Sequence, residues 1–223
     1  MRGLFVTGTG TEVGKSVLAA AVCAALAARG ERVAAFKPVV TGTDEPPGEF
    51  PPDHELLAAA ACGRQEPEQV APYRFGPPVS PHYAAELAGV PLEPARLVAI
   101  ARSSGEPADA LVAEGVGGLL VPITTGYLVR DLARDLALPL VVAAHTGLGT
   151  INHTLLTVEA ARAVSLDVRG VVMTPWPDEP SAIERSNRAT VERLASVPVS
   201  GLPRCDPGSL ARAGSALPLD DWL

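Results

Sequence analysis

The 223-residue sequence predicts an α/β fold: a mostly parallel sheet with helices on both faces. Three observations predict it. Segments such as "PLVVAAH" and "VRGVVMT" are apolar at successive positions, as in strands covered on both sides. Helix-length stretches separate them, so strand and helix alternate along the chain. The first strand also runs through a glycine-rich turn into a long alanine-rich stretch, which reads as strand, loop, helix.

Taken in order, residues 4–7 read as the first strand and 14–29 as its helix. Arg29 falls in the last turn, and Gly30 suits the left-handed position that follows. "RVAAFK", residues 32–37, is a second strand. The Pro-rich "TGTDEPPGEFPPD" then leads to a helix over 53–62, for which Asp53 is a good N-cap. Residues 66–82 hold five prolines and read as irregular; a helix is expected over 94–103. "DALVAEG", residues 109–115, is a third strand, and "GLLVPI" can add a short one. Helix 129–137, strand 139–145, helix 152–165, strand 168–174, helix 181–195 and strand 197–203 complete the pattern. No repeat or linker divides it, so residues 1–223 are expected to form one domain.

Composition excludes several classes of function. The net charge of −7 and a pI near 5.1 oppose nucleic-acid binding, which wants a basic footprint. Two Trp, three Tyr and four Phe leave little base-stacking surface. Cys23, Cys62 and Cys205 are sparse and lack C-x-x-C spacing, which fits a reducing compartment and gives no metal-site signal. Cys23 reads as a small buried hydrophobe. Without a basic-then-apolar leader or a run of membrane-spanning length, the chain is expected to be soluble and cytoplasmic, with no membrane partner.

The chemistry begins in "VTGTGTEVGKS". Backbone N–H groups at such a turn converge on anionic oxygens, the lysine adds a mobile ammonium, and the Ser hydroxyl can ligate Mg²⁺. Gly10, Thr11, Glu12, Val13, Gly14, Lys15, Ser16 and Val17 are therefore the candidate phosphate-binding stretch. The strict G-x-x-x-x-G-K-[ST] spacing is not met, because Thr9 stands in the first glycine slot between Gly8 and Gly10. An ordinary glycine-rich turn is the bland alternative; the strand before and the apolar helix after favour a P-loop NTPase-like fold.

The chain has only two lysines, Lys15 and Lys37, against sixteen arginines. Lys37 ends the second strand, and ligands in an open parallel sheet gather outside the carboxyl ends of strands. If the first and second strands are neighbours, both lysines face one pocket. A lysine retained where arginine is the default suggests a site that needs a compact point charge. Glu114 ends the strand "LVAEG" and, with Asp53, is a candidate Mg²⁺ ligand. Gly115, Val116 and Gly117 follow it in "EGVGG", where the backbone can approach a ligand closely. "GLGTINH" offers a second helix start that can receive an anion.

Together, "VTGTGTEVGKS", "KPVVTG", "SPH", "EGVGG", "GTINH" and "GLP" resemble the dethiobiotin synthetase family, in order and over nearly the whole chain. The resemblance implies an ATP-dependent ligase that carboxylates 7,8-diaminopelargonate with CO₂ and closes a cyclic urea through a carbamate and a carbamic–phosphoric anhydride. It implies catalytic roles for Lys37, Lys15 and Thr11, and Mg²⁺ held by Ser16, Asp53 and Glu114. Thr11, Thr41 and Lys37 match diamine and carbamate contacts. Gly149, Thr150, Ile151 and Asn152 match the helix start that receives the substrate carboxylate from the second subunit of a homodimer. Thr174, Pro175 and Pro203 match positions near the nucleotide base.

The sequence departs from that family at Thr174, where an asparagine commonly reads adenine; one hydroxyl cannot present the amide's paired donor and acceptor. Val116 stands for a common alanine. Trp176 can stack on the base, although a packed aromatic between two prolines is the simpler reading. His82 and His153 are expected to be structural. Three rival readings stay in view: a P-loop switch ATPase, a degenerate regulatory member of the superfamily, and an ATP-dependent amidase. The first lacks a further lysine near the start of the loop, and the last lacks a glutaminase cysteine–histidine pair.

Overall fold

The computed structural model describes residues 1–46 and 48–223; Pro47, within the expected Pro-rich connection, lies outside the described residues. The chain opens with β1 (Gly3–Gly8), α1 (Lys15–Ala28), β2 (Val33–Phe36), β3 (Val39–Thr41) and α2 (Asp53–Ala60). There follow α3 (Pro67–Val70), β4 (Tyr73–Phe75), α4 (Pro81–Ala88), α5 (Pro94–Gly105) and β5 (Ala110–Glu114). Next come β6 (Pro122–Thr124), β7 (Tyr127–Leu128), α6 (Val129–Leu136), β8 (Leu140–Ala144) and α7 (Thr150–Arg162). The chain ends with β9 (Val168–Trp176), α8 (Ala182–Ala195), β10 (Val199–Pro203), α9 (Leu210–Ser215) and α10 (Leu219–Trp222).

The central sheet has six strands in the order β10-β9-β8-β1-β5-β2, and every pairing within it is parallel. Alternation explains the two-faced burial. In β1, Phe5 joins one apolar cluster, while Leu4 and Val6 join another on the opposite face. In β5, Leu111 and Ala113 go one way, Ala110 and Val112 the other. Helices α5, α6, α7 and α8 supply residues to the first cluster, and α1, α2, α9 and α10 to the second. The expected parallel sheet with helices on both faces is therefore observed. No helix among the described residues is long and apolar enough to cross a membrane.

Several expectations need correction. β1 and β2 are not neighbours: β5 lies between them, so the two lysines leave the sheet two strands apart. Residues 66–82 are not irregular, because they form α3, β4 and the start of α4, with β4 pairing parallel to β3. Asp53 is the first helical residue of α2 and Pro52 the cap; its carboxylate makes no cap bond. α7 begins at Thr150, two residues before expectation, because Gly149 takes the left-handed cap conformation at φ 92°. The short strand expected in "GLLVPI" is β6, which pairs antiparallel with β7. The carboxyl-terminal helices α9 and α10 had no strong sequence signal.

α9 packs directly on α1. A Cβ at Gly214 would lie 2.0 Å from the carbonyl oxygen of Ala21, a backbone atom that cannot rotate aside. Gly214→Ala is expected to separate the two helices and lower unfolding free energy by about 1–3 kcal/mol, the usual cost of overpacking. Urea unfolding of the variant beside the parent protein measures it; an unchanged midpoint would contradict this packing.

Candidate active site

The carboxyl ends of β1, β5 and β2 converge on one cavity of about 680 Å³. β1 runs into the glycine-rich loop, which is tied to the neighbouring strand by Thr9 N donating to the Ala143 carbonyl at 3.0 Å. Glu12 (φ 59°) and Gly14 (φ 79°) are left-handed, the backbone type that curls a loop into an anion-binding nest. Gly14 has a second reason to be glycine: a Cβ there would sit 2.5 Å from the Thr174 Cγ2. α1 then starts at Lys15 with no side-chain cap, leaving its first N–H groups for another acceptor.

Lys15 Nζ folds back to donate to the Gly10 carbonyl at 2.7 Å. Glu114, at the end of β5, is fully buried. Its Oε1 accepts from Ser16 Oγ at 2.8 Å and from Lys37 Nζ at 2.6 Å. Lys37 Nζ also donates to Asp53 Oδ2 at 2.5 Å and approaches Ser16 Oγ at 3.5 Å. Thus β5, absent from the expected neighbour relation, supplies the carboxylate that holds the second lysine beside the phosphate loop.

The electrostatics follow from this packing. Burial pulls Lys15 down to about 8; Glu114 and Asp53 oppose that, and Lys37 reinforces it. Burial also pulls on Lys37, but Glu114 and Asp53 together outweigh it and hold its pKa above the ordinary lysine value. Asp53 loses solvation too, yet Lys37 and Ser16 bring it below the usual carboxylate range. Burial raises Glu114 more than Lys37 lowers it. Glu114 Oε2 is buried without a hydrogen-bond partner. An orphaned carboxylate oxygen beside a serine hydroxyl and Asp53 is a donor set that suits Mg²⁺, an ion that commonly takes one or two carboxylates together with phosphate oxygens.

Of the residues singled out from sequence, Thr11, Glu12, Gly14, Lys15, Ser16 and Val17 line this cavity. So do Lys37, Thr41, Asp53, Glu114, Val116 and Gly117. Gly10 contributes its carbonyl to Lys15, Val13 is buried in the core, and Gly115 N donates to the Val6 carbonyl at 2.9 Å. The cavity does not include Gly149, Thr150, Ile151, Asn152, Thr174, Pro175 or Pro203. Thr150 Oγ1 donates to the His145 carbonyl at 2.6 Å, and Asn152 is exposed. Thr174 is buried against Gly14, while Pro175 is exposed beyond it. Trp176 is packed: it pairs with Pro203 in the strand register, a Cβ at Gly201 would collide with its ring, and the Arg188 guanidinium lies 5.4 Å from the ring centroid.

Sequence reasoning missed part of the wall, notably Phe50, Val79, Ser80 and Val121. "SPH" stood out as a motif, but nothing in it marked Ser80 as facing the same cavity as Lys37.

An AAA domain family model matches residues 2–204. The ATP-dependent dethiobiotin synthetase BioD of Anaeromyxobacter dehalogenans (strain 2CP-1) is 44% identical over 87% of this chain and 86% of its own. The protein of the same name from Bacillus subtilis (strain 168) is 34% identical over 91% and 87%. Among solved structures, a ParA family ATPase from Chlorobium tepidum covers 98% of this chain, with 92% of its own chain matched, at a TM-score of 0.56 and 12% identity, a likeness of fold.

Lys15 generates a pH prediction. Its ammonium is half lost near pH 8 in the free protein, and an anionic nucleotide on the loop restores it, since a nearby negative charge favours the protonated form. The bound state then holds more protons than the free state, so affinity falls as pH rises through about 8. Titration calorimetry in buffers of different ionisation enthalpy should show proton uptake on ADP binding that grows from pH 7 to pH 9. Lys15→Arg should abolish that uptake; uptake of equal size in the variant would contradict the assignment.

Proposed function

Because this chain belongs to the dethiobiotin synthetase family and is an ATP-dependent ligase, we infer that it converts 7,8-diaminopelargonate, CO₂ and ATP to dethiobiotin, ADP and phosphate. The observation that carries the reading is the convergence of Lys15 and Lys37 on one cavity, with Glu114 between their strands. A carbamate and a triphosphate are both anions and repel one another. Two ammonium groups lower that repulsion and let the carbamate oxygen approach the γ-phosphate in line, so catalysis is mainly positioning and charge stabilisation.

In this reading the glycine-rich loop and the start of α1 bind the phosphates, and Lys15 leaves the Gly10 carbonyl for them. Thr11 and Thr41 offer hydroxyls to the diamine and its carbamate. Lys37 holds the carbamate and the transferring phosphoryl group. The second amine then attacks the carbonyl carbon of the mixed anhydride, closing the urea as phosphate leaves. Ser16, Asp53 and Glu114 would hold Mg²⁺, which when bound supplies positive charge to the phosphate oxygens. The helix start at Gly149, Thr150, Ile151 and Asn152 serves the substrate carboxylate of a second copy, in a cytoplasmic homodimer whose subunits are each one domain. That it lies outside the cavity of its own chain supports a role in trans.

Purified protein mixed with diaminopelargonate, bicarbonate and Mg·ATP should yield dethiobiotin by mass; ATP hydrolysis without cyclised product would return the switch ATPase reading to the front. Lys37→Gln should leave ATP binding measurable while turnover falls ~10²–10³-fold, equivalent to about 3–4 kcal/mol of barrier. Turnover near that of the parent would refute the role given to Lys37.

Base recognition generates a further prediction. Thr174 is buried against Gly14 and has no amide, and Trp176 is covered by Arg188, so contact with the base falls to the backbone near Pro175 and Pro203. Backbone contact at the end of two strands discriminates weakly, and KM values for ATP, CTP and GTP should agree within about tenfold, one hydrogen bond's worth of selectivity. A preference for ATP well beyond that would contradict this account.

A further inference from the structure

The geometry points to Ser80 as a further substrate-binding residue of this cavity, held in position by His82. Ser80 stands at the N-cap of α4 with extended backbone (φ −61°, ψ 149°), yet its hydroxyl caps nothing. A serine there ordinarily accepts from a backbone N–H of the first turn. Instead, Ser80 Oγ lies 3.1 Å from His82 Nδ1, its only side-chain hydrogen bond among the described residues.

The two residues face different spaces. Ser80 lines the 680 Å³ cavity together with Lys37, Thr41 and Pro81. His82 lines a separate cleft of about 460 Å³ between α4 and β6, with Glu86, Leu92, Ile123 and Thr124. Pro81 between them is buried and fixes the backbone dihedral at the first helical position. The pair therefore joins the two spaces, with Ser80 lining the larger cavity and His82 the neighbouring cleft.

The chemistry of the pocket explains why such a hydroxyl is useful. A diamine brings N–H donors, but the lysines of the site are donors as well. Of the Asp53 and Glu114 carboxylates, Oδ2 and Oε1 are taken by Lys37, and the remaining oxygens are those that would hold Mg²⁺. Ser80 has one donor and two acceptor positions. In the tautomer that leaves His82 Nδ1 unprotonated, Ser80 donates to it, and its oxygen lone pairs are left to accept from an amine of the substrate. His82 is thus a positioning residue that acts through Ser80 without touching the diamine.

This assignment rests on the diaminopelargonate reading, and the test separates the two. If the parent protein forms no dethiobiotin, that reading falls and this one with it. If it does, steady-state kinetics with diaminopelargonate as the varied substrate decide the matter. Ser80→Ala and His82→Phe should each raise KM for the diamine about tenfold, the loss of one hydrogen bond, with KM for ATP unchanged. His82→Asn, which returns an acceptor near the Nδ1 position, should restore KM. The double variant should be no worse than Ser80→Ala alone, because both remove the same contact. An unchanged diamine KM in Ser80→Ala overturns the assignment of Ser80. Additive effects in the double variant, or no rescue by asparagine, overturn the role of His82.

Discussion

A buried carboxylate at the end of β5, between β1 and β2, organises this protein. Glu114 is fully out of solvent, a costly place for a charge unless it is paired and hydrogen-bonded. Its partners come from the two strands that flank it: Ser16 through the loop after β1, and Lys37 at the end of β2. The site is therefore a property of three consecutive strands in space, contributed by three distant stretches of chain. Asp53, at the start of α2, completes it by neutralising the other side of Lys37.

That arrangement requires a sheet stiff enough to hold opposing charges in register. Alternating side chains send two apolar clusters to opposite faces, and helices cover both. α1 shows the consequence most clearly. It is covered on several sides, with Leu18, Val22 and Leu26 in the core and α9 lying close upon it, so small residues dominate its sequence. The phosphate loop consequently leads into an anchored helix, which fixes the direction of the N–H groups at its start.

Packing also explains substitutions that look disruptive on paper. Thr174, where a base-reading amide is common among proteins this chain resembles, lies against Gly14 and stabilises the loop from behind. Trp176 is enclosed by Gly201 and Arg188, which gives the ring a structural occupation. In each case the side chain packs against the scaffold.

The sequence alone determined the local features. Apolar runs such as "PLVVAAH" specify strands because both faces must be buried, and "GTGTEVGKS" specifies a phosphate loop because few other backbones need that density of glycine before a lysine. Glu114, Lys37 and Asp53 were each recognisable as strand-end or helix-start charges. Only the tertiary structure decided which of them meet. Strand order is not written in local pattern, so β5's insertion between β1 and β2 was invisible, as was the pairing of β3 with β4 across more than thirty residues. Asp53 shows the physical reason in miniature: its neighbours in sequence favour a cap, but its carboxylate accepts from the Lys37 ammonium 2.5 Å away in space, a charge-assisted bond stronger than one to a backbone N–H.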